Sequence, residues 1–263
     1  MGARADGGRW LLRIEDLDES RCLPGAADSI LRTLEQHGLT WDDLCYQHER
    51  LALYHEALER LTQLGLTFPC TCSRSQLPEA GVYPGTCRDR SAISGEHALR
   101  LKVGDLSIEI DDSIQGKFAQ HLGRDVGDFV IRRRDGIIAY QLAVVVDDAA
   151  QRITQVVRGA DLLDNTPRQM LLFRLLGARP PRYSHVPVLA DRTRHKLSKQ
   201  TRATSVAGHS PNANLLLILD LLGHAPPPML QGAQPREILD WGIAHWDISR
   251  IPRGVIHPEF VCI

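Results

Sequence analysis

A short apolar run that ends in carboxylates, Trp10-Leu-Leu-Arg-Ile-Glu-Asp-Leu-Asp18, constrains this chain more than any other feature. Consecutive apolar positions suit a buried strand, and charges gathered at its carboxyl end suit the ligand-binding edge of an open α/β sheet. Amphipathic helices should follow. Pro24-Gly25 opens a run with Ile30, Leu31 and Leu34 at helical spacing, closed by Gly38, and residues 51–64 repeat the pattern up to Gly65. At 263 residues, 43% of them hydrophobic, the chain has enough apolar material for one large domain or two modest ones.

Periodicity weakens over residues 68–124, where Pro and Gly punctuate short β-like pieces at 99–103 and 106–110, as in an insertion into a larger fold. Regular signals return with Phe129-Val-Ile-Arg-Arg133, an Asp135-Gly136 turn, an apolar run at 142–146 and a strand at 153–157. Asn165-Thr166-Pro167 then opens a helix, with Thr166 able to cap it, Pro167 in its first position, and Met170, Leu171 and Leu175 forming a buried stripe. An apolar piece at 185–189 precedes a basic loop. Beyond it the chain reads helical at 212–222, breaks at Pro226-Pro-Pro228 and ends in a weakly patterned tail.

Lys and Arg number 31 against 32 Asp and Glu, which excludes a histone-like or polyacidic protein, so any nucleic-acid surface must be local. No stretch reaches the ~18–20 apolar residues that span a bilayer, and the first residues lack a signal-peptide core. The expectation is a cytoplasmic protein without a membrane association or a stable protein partner.

Two clusters carry chemistry. In Arg192-Thr-Arg-His-Lys-Leu-Ser-Lys-Gln-Thr-Arg202, five cations stand near one acid, Asp191, and two of the four lysines of the chain, Lys196 and Lys199, lie there. Compact point charges in that density suit phosphate, with a solvated basic loop as the alternative. The second cluster is Cys70-Thr-Cys72 followed by Tyr83-Pro-Gly-Thr-Cys87. Three thiolates so spaced suit a structural zinc ion but leave its tetrahedron one ligand short; three buried thiols in a reducing compartment are the alternative.

Lys196-Leu-Ser-Lys-Gln200 resembles the KMSKS signature of the class I aminoacyl-tRNA synthetases, and Arg13-Ile-Glu-Asp-Leu-Asp18 resembles an element of their glutamyl and glutaminyl members. Tyr140-Gln-Leu-Ala-Val-Val-Val-Asp-Asp148 and Val157-Arg-Gly-Ala-Asp-Leu162 are similar to blocks lining the glutamate pocket of those enzymes. The resemblance runs from about Gly8 to about Ser205, in the family's order. It implies that Lys199 is catalytic at the phosphates of ATP with Lys196 beside it, that Glu15 meets the ammonium group of glutamate, and that Tyr140 and Arg158 contact the substrate. Arg158 is chemically apt, because a guanidinium fork reads a carboxylate by two parallel hydrogen bonds. Read without the family, Tyr140 is a core aromatic and Arg158 a partner of Asp161. The resemblance also implies one structural zinc ion on Cys70, Cys72, Cys87 and Tyr83, with His97 the competing fourth ligand.

The implied fold is α/β: a Rossmann-like class I catalytic core, incomplete at its amino terminus, with a zinc-bearing insertion and a short helical carboxyl-terminal part. Its divisions are 1–67 and 126–205 for the core, 68–125 for the insertion and 206–263 for the helical end. Residues 201–263 are too few for the anticodon-binding region of a glutamyl-tRNA synthetase. A core of this type without that region resembles the subfamily that activates glutamate with Mg-ATP and transfers it to queuosine in tRNA(Asp). Arg132-Arg-Arg134 and the 192–202 loop are the basic surfaces available to a tRNA backbone. A non-catalytic paralogue binding glutamate or tRNA, and a truncated glutamyl-tRNA synthetase, are the rivals. The family's HIGH-like segment and first glutamate-binding arginine have no counterpart before Trp10. The expectation is a start internal to a longer gene rather than a degenerate relative, because the other site residues survive; a core strand with one unpaired side then predicts poor stability or aggregation.

Overall fold

The computed structural model describes residues 1–78, 81–90, 93–191, 196–197 and 206–256. A short helix α1 (Gly2–Ala5) leads into strand β1 (Leu11–Ile14), helix α2 (Ala26–Gln36), strand β2 (Asp43–Tyr46) and helix α3 (Leu51–Gln63). β3 (Thr67–Cys70), β4 (Ala98–Leu101), the hairpin of β5 (Ser107–Asp112) and β6 (Gly116–His121), α4 (Leu122–Asp125) and β7 (Phe129–Arg132) come next. Then follow α5 (Tyr140–Ala150), β8 (Gln155–Gly159), α6 (Thr166–Leu175), β9 (Arg182–Val186), β10 (Val188–Leu189), α7 (Pro211–Leu221), α8 (Pro235–Ala244) and β11 (Val255–Ile256).

β1 pairs in parallel with β2, and β8 with β9, as expected of crossover connections through helices. Among the described residues these remain two separate pairs. An apolar groove of about 430 Å³ is lined by Trp10 beside β1, Val157 of β8, Val186 of β9 and residues of α1, α2 and α8. α2 buries none of its side chains, and Ile30 is 51% exposed.

The main core lies elsewhere. α3 turns Tyr54, Ala57, Leu58 and Leu61 inward, the spacing of one helical face, onto α5, into a core shared with α6 and the inward face of β5. Residues 99–122 contribute Leu101, Val103, Ile108, Ile110 and Leu122 to this same core. The apolar run at 142–146 is the middle of helix α5, in which residues from Leu142 through Asp148 are all buried. A short run buried on every side has no visible period, so its helical nature is set by what surrounds it. The tail also holds a helix that the patterning did not reveal: α8 starts with a reciprocal capping box between Gln234 and Glu237 and packs on α7 through Ile238 and Leu239.

α5 closes on a charged knot. The wholly buried carboxylate of Asp147 accepts from Gln47 Nε2 at 2.8 Å, Arg50 Nε at 2.6 Å and the Tyr54 hydroxyl at 2.9 Å, with Arg13 Nε 3.5 Å away. Burial, followed by the bond to Asp147, pushes the Tyr54 hydroxyl well above the usual phenol range. Removing one member of such a set strands the others. Asp147→Ala is therefore expected to cost about 3–5 kcal/mol in urea unfolding, and a loss under about 1 kcal/mol would contradict the arrangement.

Candidate active site

The strand ends deliver the charges to one place. Glu15 follows β1, Tyr140 starts α5, and Arg158 lies near the end of β8. Glu15 keeps 42% of its side chain open, with Arg13 Nη2 at 3.7 Å. Burial by the surrounding protein, opposed by Arg13, holds its carboxyl above the usual range. Arg13 itself bonds Asp148 at 2.9 Å and Gln151 at 3.0 Å. Tyr140 is 38% exposed, and its hydroxyl is raised first by burial and then by the charge of Glu15, while Arg158 opposes that rise. The Tyr140 hydroxyl thus feels both Glu15 and Arg158, although 125 residues separate it from Glu15 in the chain.

Arg158 is held on two sides. Its Nε donates to His185 Nε2 at 3.0 Å, and its Nη2 donates to Thr166 Oγ1 at 2.8 Å and to the Leu162 carbonyl at 3.4 Å. The guanidinium carbon lies 5.2 Å from the Tyr183 ring centroid. The plane of the guanidinium is therefore set by the fold, with its Nε–H and both Nη2–H groups engaged within the protein. Asp161, the alternative partner of Arg158, pairs instead with Lys196. That contact brings Lys196 of the basic loop, which also bridges to Ala190, to the 3-10 turn of Ala160–Asn165 that follows β8. Lys199 lies outside the described residues, as do residues 192–195 and 198–205.

Thr166 corrects the sequence reading. It is the first residue of α6, wholly buried, and makes no capping bond; its hydroxyl serves Arg158. His185, whose Nε2 takes the bond from Arg158, was also not visible as a site residue, because it sits in an apolar stretch. The arginines at 132–134 are largely engaged within the protein. Arg133 pairs with Asp18 and Asp135, Arg134 reaches the Thr71 carbonyl, and Arg132 reaches the His97 carbonyl at 3.3 Å.

The cysteines converge. The sulfurs of Cys70, Cys72 and Cys87 lie within 4.8 Å of one another, Cys72 and Cys87 being 3.6 Å apart. The Tyr83 hydroxyl is 3.5 Å from Cys70 Sγ and 3.8 Å from Cys72 Sγ. Four ligands around zinc at about 2.3 Å stand roughly 3.8 Å apart, so the donor set has the size and softness a zinc ion needs. The Cys87 thiol is lowered to about 7: burial opposes ionisation, but hydrogen bonds from Tyr83, the Thr71 backbone and the other thiols outweigh it. Arg100, which sequence reasoning missed, is buried against the cluster, with Nε 3.3 Å from Cys70 Sγ and its guanidinium carbon 3.9 Å above the Tyr83 ring. His97 is no member of the cluster; its Nδ1 engages the Gly95 carbonyl at 2.8 Å.

The family "tRNA synthetases class I (E and Q), catalytic domain" matches residues 1–83 and 79–214. The chain belongs to the class I glutamyl- and glutaminyl-type tRNA synthetases. It is thus an enzyme of the ATP-dependent ligase type. The glutamyl-Q tRNA(Asp) synthetase of Methylococcus capsulatus is 56% identical over 256 residues, covering 96% of this chain and 85% of that protein. The enzyme of the same name from Ectopseudomonas mendocina is 55% identical, covering 97% of this chain and 87% of that one. Among solved structures, a glutamate tRNA ligase from Elizabethkingia meningosepticum, in complex with its amino acid, matches with a TM-score of 0.79 at 22% identity, covering 97% of this chain and 61% of that one. The glutamate-tRNA synthetase of Elizabethkingia anophelis matches with a TM-score of 0.80 at 22% identity, over 99% of this chain and 63% of that one. The class I synthetase fold, of mixed α/β content, follows from these matches. No helix among the described residues of this synthetase chain is long and apolar enough to cross a membrane.

Proposed function

We propose that this chain activates L-glutamate with Mg-ATP and transfers it to queuosine in tRNA(Asp), acting in the cytoplasm. The observation that carries the reading is the assembly of Glu15, Tyr140 and a fold-oriented Arg158 at one site. The names of relatives more than half identical over nearly the whole chain support the acceptor. Glu15 receives the ammonium group of glutamate, Arg158 its side-chain carboxylate, and Tyr140 contacts the substrate between them. The α-carboxylate attacks the α-phosphorus of ATP, forming glutamyl-adenylate and releasing pyrophosphate, and a hydroxyl of queuosine then displaces AMP. Lys196 and Lys199 neutralise the phosphates. Lys199→Ala is expected to lower the rate of glutamate-dependent pyrophosphate exchange into ATP about 10²- to 10³-fold with little change in glutamate KM, because its charge matters most as the phosphates separate. Equal losses in both would remove that role.

Cys70, Cys72, Cys87 and Tyr83 are proposed to hold a structural zinc ion, and residues 68–125 to form the insertion it braces, between the core segments 1–67 and 126–205 and the helical end 206–263. Tyr83→Phe should weaken zinc retention during dialysis against a chelator while His97→Ala leaves it unchanged; the opposite ranking would make His97 the fourth ligand.

Glutamate-dependent exchange of labelled pyrophosphate into ATP, without tRNA, tests the activation step. Queuosine-containing tRNA(Asp) and tRNA(Glu) offered side by side then test the acceptor. Charging of tRNA(Glu) alone would favour a glutamyl-tRNA synthetase, and no exchange a binding role.

A further inference from the structure

The hairpin β5–β6 alternates as a half-buried ribbon should, with Ile108, Ile110 and Asp112 facing inward and Ser107, Glu109 and Asp111 outward. A carboxylate in the third inward position, with its side chain wholly buried, is costly unless every oxygen is satisfied. Here both are. Asp112 accepts the backbone N–H groups of Ile114 at 3.0 Å, Gln115 at 2.8 Å and His185 at 3.1 Å, and Nδ1 of His185 lies 2.6 Å away. Burial alone would raise this carboxyl, yet the bonds from Gln115 and His185 hold it below the usual carboxylate range.

An ionised Asp112 makes Nδ1 of His185 the protonated nitrogen and leaves Nε2 an acceptor. Nε2 meets the Nε–H of Arg158 at 3.0 Å, with the Thr166 hydroxyl 3.3 Å away. Arg158 and His185 are register partners on β8 and β9, so their side chains leave the same face of the sheet. The ring is wholly buried, and its desolvation, with the charge of Arg158 beside it, outweighs Asp112 and keeps it neutral. A cationic ring could not accept from a guanidinium.

We propose that Asp112 and His185 are positioning residues that fix the Arg158 guanidinium for the carboxylate of the amino-acid substrate, so that a hairpin outside the strand-end site sets its specificity. The inference rests on the reading of Arg158 given above. Attachment of the hairpin does not depend on the ring: Ser113 N donates to the Tyr183 carbonyl at 3.0 Å, and Gln115 Nε2 to the His185 carbonyl at 2.8 Å. The ring contact with Tyr183 (6.1 Å between centroids, 15° between planes) is one a phenyl group can keep.

The test compares His185→Phe, His185→Gln and the unsubstituted chain in pyrophosphate exchange, with nitrogen NMR of the His185 ring assigned by difference. His185→Phe should raise glutamate KM about 10- to 100-fold, the worth of a lost hydrogen bond to a charged group, with ATP KM within about twofold. His185→Gln, whose amide oxygen can take the place of Nε2, should recover most of the loss. The ring should carry its proton on Nδ1, and Asp112→Asn should abolish that preference. A proton on Nε2, an unchanged glutamate KM in His185→Phe, or equal losses toward glutamate and ATP would overturn the proposal. If the unsubstituted chain shows no dependence on glutamate while the Nδ1 proton is found, the glutamate reading fails and the positioning of Arg158 stands.

Discussion

Arg158→Ala is expected to lower kcat/KM for glutamate in pyrophosphate exchange by about 10²- to 10³-fold, the cost of truncating one partner of a buried, hydrogen-bonded charge pair. The loss should fall mainly on glutamate KM. Two features make the expected effect large. The guanidinium is held by His185 and Thr166 in a site lined by Tyr183 and Tyr140, so its contribution is not diluted by water as at an open surface. It is also pre-oriented, so little side-chain entropy is lost when substrate arrives. Arg158→Lys keeps the charge but cannot reproduce the planar set of bonds to His185, Thr166 and Leu162 that orients the guanidinium, and should recover less than a tenth of the lost activity, roughly. If lysine restores activity, the residue supplies charge alone. Thermal unfolding of both variants belongs beside the kinetics, because His185 and Thr166 lose a partner when the side chain is cut.

Removal of zinc is expected to have the largest effect on stability. The purified chain should carry a single zinc ion, and Cys70→Ser or Cys87→Ser should abolish it. Apparent binding free energies for structural zinc are of order 10 kcal/mol, and only part of this is recovered when the stripped site relaxes. A residual loss of about 5 kcal/mol would lower the melting temperature by roughly 10–20 °C for a chain of this length. The site has little else to hold it: Phe68, Cys70, Tyr83 and Cys87 form a small cluster of their own, apart from the main core. Stripping the metal also leaves the buried Arg100 guanidinium beside a set of donors that nothing then draws together. The chelated chain and the Cys70→Ser variant should therefore unfold alike. A zinc-free purified chain of undiminished stability, or full zinc content in Cys70→Ser, would overturn the site.

Much of the chemistry was legible because it is local in the chain or of a rare residue type. The cysteine spacing, the carboxylates at the end of Trp10-to-Asp18, and the helices bounded by Gly38, Gly65 and Gly177 depend on neighbours a few residues away. Backbone propensity and turn chemistry act at that range, so these features follow from the order of residues alone. The tertiary structure alone decided the roles of residues whose partners lie far off. The run at 142–146 became a helix because α3, α6 and β7 pack around it. Thr166 reads as a cap, yet its hydroxyl is claimed by Arg158 from the neighbouring strand. Asp161 is near enough in sequence to be the partner of Arg158, but Lys196 takes it. Asp112 and His185 lie 73 residues apart and meet only because the hairpin packs on β9. A buried charge must find a partner wherever the fold supplies one, and that choice is made in three dimensions.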